Sequence, residues 1–79
     1  MEERIEKIIL NYGIFCREMC CALTFGDNSH ANSARNSLDQ IYGLMPEEEF
    51  KRSFPNAYEV IENARLRWNN HIKSPSLME

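Results

Sequence analysis

The chain has 79 residues, 43% of them hydrophobic and 27% charged, with a formal net charge of -3 at pH 7. That is the profile of one soluble domain near the size at which a single core is marginal without a metal, a disulfide or a partner. It is too apolar for a disordered chain and too acidic for a general polyanion binder. Three cysteines, two of them adjacent, do not make the even, spaced framework of a small secreted scaffold. With no signal-peptide pattern and no uninterrupted apolar run of membrane-spanning length, the expectation is a cytosolic protein with reduced thiols and no membrane partner.

From Glu3 to Phe25 apolar residues recur every three or four positions, which predicts one long amphipathic helix. On a wheel of 3.6 residues per turn, Ile5, Ile8, Ile9, Tyr12, Phe15, Cys16, Met19, Cys20 and Leu23 share one broad stripe suited to a core. Leu10, Ile14, Cys21 and Phe25 form a thinner stripe on roughly the opposite side, among Lys7 and Glu18. A helix apolar on two sides needs two things to pack against. After Phe25, Gly26-Asp27-Asn28-Ser29 is turn chemistry, with Gly26 suited to the left-handed position after the last turn.

Ser29, Asn32 and Ser33 are candidate N-caps for a second helix, whose core residues are Ala31, Ala34, Leu38, Ile41 and Met45. Its small residues suit close helix approach, and Gly43 interrupts or ends it. Pro46 followed by Glu47, Glu48 and Glu49 starts a short third helix to about Ser53, with Phe50 and Phe54 on one face. A last helix begins near Pro55. Its core face is Ala57, Ile61, Ala64, Trp68 and Ile72, widened by Val60 and His71, and Leu66 is stranded among polar neighbours. Ser74-Pro75-Ser76 ends it, leaving residues 76–79 as a mobile tail. The expected fold is all-α: a single domain over residues 1–75, built as a small three- to four-helix orthogonal or bundle-like array with a long N-terminal helix.

Chemistry-bearing motifs are scarce. The metalloprotease H-E-x-x-H, the phosphate-binding G-x-x-x-x-G-K-[ST] and the dinucleotide G-x-G-x-x-G are all absent, so no enzyme, cofactor or small-molecule substrate is expected. Cys16, Cys20, His30 and His71 number the four ligands that zinc takes, but they lack a C-x2-C knuckle. Cys16 and Cys20 also fall on the core stripe, where a thiol behaves as a small hydrophobe. Cys21 lies on the second stripe, either as a reactive thiol or covered by a partner, and the partner is preferred.

For nucleic acid, the second reading, Lys51, Arg52, Arg65 and Arg67 around the Gly43 turn are the candidates for a helix-turn-helix surface. Glu47 to Glu49 oppose it, because they occupy the helix start that phosphates would approach, and Glu62 is placed to pair with Arg65. The third reading is a thiol- or zinc-dependent small protein. The first is a non-enzymatic protein-interaction module docking through Leu10, Ile14, Cys21, Phe25 and Leu66. It would act as a homodimer or as a regulator or inhibitor of a larger protein, a format that phages and mobile elements use. Its internal alternative has the short helix fold Phe50 and Phe54 across the second stripe.

Overall fold

The computed structural model describes residues 2–73, with side chains as far as His71. The fold is all-α: α1 (Glu3–Phe25), α2 (Asn28–Leu44), α3 (Glu47–Ser53) and α4 (Pro55–Lys73). The expected tail and helix stop beyond Lys73, and the place of the Ile72 side chain, lie outside the described residues.

α1 spans the stretch its periodicity predicts and stops where the glycine stands. Gly26 takes φ 64° and ψ 34°, a left-handed position, and donates its N–H to the Ala22 carbonyl at 2.7 Å. The reversal is so tight that the N-cap of α2 is Asp27, not Ser29, Asn32 or Ser33. Its carboxylate accepts from the Ser29 N–H at 2.8 Å, which satisfies one of the donors left open at the helix start. Gly43 neither breaks nor ends α2, which continues to Leu44 and terminates as Met45 becomes extended at φ -146°. Pro46 is the N-cap of α3, whose first turn carries Glu47, Glu48 and Glu49.

The two-residue turn makes α1 and α2 an antiparallel hairpin. α3 then brings the chain to the start of α1, where the Glu49 carboxylate stands 3.8 Å from the Arg4 guanidinium. α4 returns alongside α1 and in the same direction, so that His71 lies beside Gly26 at the far end. α1 therefore packs against both α2 and α4, which stand apart from each other. At 1.5 Å per residue α1 is about 35 Å long, and it dominates a molecule of 49 × 21 × 16 Å.

The core is a narrow seam. Ile8, Phe15, Met19 and Ala22 come from α1, Ala34, Leu38 and Ile41 from α2, Met45 from the turn, Phe50 from α3, and Ile61 and Trp68 from α4. The predicted core stripe of α1 proves too wide. Ile9 and Cys20, at its edge, are exposed, because α2 and α4 straddle a narrower arc centred on Phe15 and Met19. Val60 and His71 likewise stand outside the core face of α4. α3 does not cover the second stripe of α1: Phe50 is buried in the main core, edge-on to Tyr42 at 5.8 Å and tilted on Phe54 at 5.4 Å.

α1 also has an 18-residue window of mean hydropathy 1.3, which meets a membrane span's requirement by length and composition. Within that window 22% of the residues are buried, and Ile8, Phe15, Met19 and Ala22 face the seam with α2 and α4. Arg17 and Glu18 interrupt the run, where a charge at mid-bilayer costs roughly 2.5–3.5 kcal/mol on the insertion scale.

Candidate functional site

The second stripe of α1 is largely open. Phe25 is 72% exposed and Leu10 64%, while Ile14 and Cys21 are half-buried. Ile9 adds another exposed apolar side chain on the same helix, at 51%. Leu66, also exposed, does not join them. It lies about 140° round α4 from Ile61 and about 160° from Trp68, on the face turned away from α1.

Beside Cys21, across the tight turn, three unlike donors converge. The Glu18 Oε2 atom is 2.9 Å from His30 Nδ1, and a carboxylate oxygen of Glu18, Cys21 Sγ and an imidazole nitrogen of His30 all lie within 4.8 Å of one another. Each is half-buried. The other imidazole nitrogen, Nε2, faces the Asp27 Oδ2 atom at 3.8 Å. Glu18 and Cys21, three apart, share a face of α1, and the two-residue turn brings the first turn of α2 over them. The structure does not bring together the alternative set of Cys16, Cys20, His30 and His71. Cys16 and Cys20 border a groove of about 280 Å³ between α1 and α4, and His71 is stacked on Trp68 with ring centroids 5.4 Å apart. Of that set only His30 belongs to the cluster, the one metal-competent group among the described residues.

The basic residues are dispersed. Arg65 pairs with Glu62 at 2.9 Å, as the three-residue spacing predicts, and lines the cleft between α2 and α4. Arg67 lines the groove on the other side of α4. Lys51 sits 5.5 Å from the centre of the Tyr58 ring, and Arg52 is in the last turn of α3. They form no single strip for a phosphate backbone to follow.

The cleft between α2 and α4 encloses about 480 Å³. Phe15, Met19 and Trp68 line its apolar part, and Arg35, Asp39 and Arg65 its polar part. Tyr42 borders it with a hydroxyl that has no hydrogen-bond partner. Burial, helped by the nearby Glu47 and Glu62 carboxylates, pushes the Tyr42 phenol up to about 12 from the ordinary 10.0. The folded chain thus favours the neutral phenol. Its contribution is fully present below pH 10 and is lost as pH rises from about 10 to about 12, because the unfolded chain loses the proton first. Two pH units correspond to about 2.7 kcal/mol, and solvent access to the half-buried ring reduces this to about 1 kcal/mol. Tyr42→Phe is expected to flatten the alkaline limb of the stability profile in urea titrations between pH 9 and about 11.5. An unchanged alkaline slope sinks this assignment and moves it to Tyr12 or Tyr58, whose phenols are also raised.

Among protein-family models, curated proteins and solved structures, none matches this chain. Two features had no clear sequence signal. Ser37 is buried within α2 among apolar neighbours, and Ala22 is fully buried although the wheel did not single it out. The Glu18, Cys21 and His30 group did have a signal: a Glu-x-x-Cys helix face followed by a Gly-Asp turn and an early histidine.

Proposed function

We propose that the protein is a non-enzymatic, cytosolic interaction module that docks through the outer face of α1. A second copy of the chain is its simplest partner, and a larger protein that it regulates or inhibits is the other. The observation that carries this reading is the exposure of Leu10 and Phe25 on one helix face, with Ile14 and Cys21 half-buried between them. Single exposed apolar residues are ordinary, but two exposed ones in line with two half-buried ones along one helix make a continuous apolar row. Covering such a row removes roughly 200–400 Å² of apolar area per side, worth roughly 5–10 kcal/mol before the costs of association. The narrow core adds weight, because a thin seam gains much from burying a further face.

Sedimentation equilibrium of the reduced chain, from micromolar to hundreds of micromolar, tests the self-associating form. The expected result is a dimer that weakens by at least about 100-fold in Leu10→Asp with Phe25→Asp, from the loss of two buried side chains worth about 1.5–3 kcal/mol each. Because both side chains are exposed in the single chain, helical content by circular dichroism should be unchanged. A wild-type monomer at every concentration rules out the homodimer. Unfolding of the double variant rules out the docking face itself.

A further inference from the structure

We propose that Glu18, Cys21 and His30 form a three-ligand Zn2+ site at the turn between α1 and α2. The three donors come from two helices and converge within 4.8 Å, with the carboxylate and the imidazole already 2.9 Å apart. Tetrahedral zinc, with metal-sulfur distances near 2.3 Å and metal-nitrogen or metal-oxygen distances near 2.0–2.1 Å, places its ligands about 3.3–3.6 Å from one another. The remaining adjustment is on the order of 1 Å, the scale of a side-chain rotation. The donor set narrows the metal to the transition series. Calcium and magnesium take oxygen ligands alone, whereas thiolate, imidazole and carboxylate together suit zinc.

The surroundings support the same assignment. A zinc-bound histidine directs its other ring nitrogen to a carboxylate or carbonyl, which fixes the tautomer. Here Nδ1 faces Glu18, and Nε2 faces the Asp27 Oδ2 atom at 3.8 Å, while the Oδ1 atom of the same carboxylate caps α2 through the Ser29 N–H. Binding proceeds with Cys21 as thiolate, its S–H proton released to solvent, and with the imidazole proton on Nε2 beside Asp27. Three protein ligands leave the fourth position to water or to a donor from another molecule. The site lies on the α1 face that carries Ile14 and Phe25, so a metal here also clips the end of α1 to the start of α2.

The test is a titration of reduced, metal-free protein with Zn2+ against a chromophoric chelator, together with Co2+ substitution. Expected are one metal per chain, a proton released on binding, a melting temperature that rises with zinc concentration, and a thiolate-to-cobalt charge-transfer band. Cys21→Ser and His30→Ala should each weaken binding by at least 100-fold, whereas Cys16→Ser and Cys20→Ser should leave it unchanged. Asp27→Asn, which keeps a capping oxygen, should weaken it about 10-fold. Absence of binding, one metal per two chains, or binding that survives Cys21→Ser and follows Cys16 or Cys20 instead overturns the site. The cobalt spectrum of the unmutated chain decides the matter even if a variant fails to fold: no thiolate band means no Cys21 ligand.

Discussion

Phe50→Ala is expected to lower the unfolding free energy by about 3–5 kcal/mol, the usual range for truncating a fully buried phenylalanine. At about 0.05–0.15 kcal/mol per residue, a domain of 79 residues has only about 4–12 kcal/mol in total. At the low end of that range the loss leaves much of the population unfolded. Phe50 is 1% exposed and is the buried residue of the seven-residue α3. A helix that short has no stability of its own and is held in place by what it packs against. The phenyl ring meets Tyr42 of α2 edge-on and tilts against Phe54, the residue that leads into α4. Aromatic contacts of this kind add about 0.5–1.5 kcal/mol each beyond their buried area. The Tyr58 hydroxyl, which donates to Glu47 at 2.9 Å, is too exposed to replace them. Urea denaturation followed by far-ultraviolet circular dichroism measures the change, and a loss below about 1 kcal/mol shows that α3 is a dispensable connector.

The helices themselves were legible because their signals are local. Three- and four-residue apolar spacing, Gly26 after Phe25, and Pro46 before three glutamates each act within a turn or two. α1 begins and ends as read, and α4 begins as read. What sequence did not reveal was how much of each helix its neighbours cover. A wheel shows which residues share a direction but not the angular width of the partner, so Ile9, Cys20 and Val60 were assigned to a core that never reaches them. The cap at Asp27 escapes the sequence for a related reason: Gly26 to Ser29 are all turn formers, and only the left-handed conformation of Gly26 completes the turn with two residues. The donor cluster was hidden because its members were classified separately. Glu18 lies beside an apolar row to which Cys21 belongs, His30 is 9 residues further along the chain from Cys21, and only the tight reversal makes the three neighbours.

Ala34→Leu should destabilise the fold from the opposite direction, by about 1–3 kcal/mol through overpacking, although it adds apolar bulk to an apolar core. Ala34 of α2 is completely buried, as is Ala22 of α1, and Ser37 follows one turn later on α2. Small residues at these positions let the backbones of the hairpin come close. The two-residue turn leaves no slack to separate them again. Three added carbon atoms would have to push α1 and α2 apart or turn into an off-rotamer conformation, since interiors packed to crystal density hold no spare volume. Displacing α2 would also carry His30 away from Glu18 and Cys21, so the same substitution should weaken zinc binding without touching a ligand. Urea denaturation of Ala34→Leu beside Ala34→Gly separates the causes. If the seam is tight, leucine is the worse of the two, despite the roughly 1 kcal/mol that glycine costs within a helix. If leucine is neutral or stabilising, the hairpin is loosely packed, the volume left beside α2 is real, and the close approach that brings the three donors together is not enforced by the core.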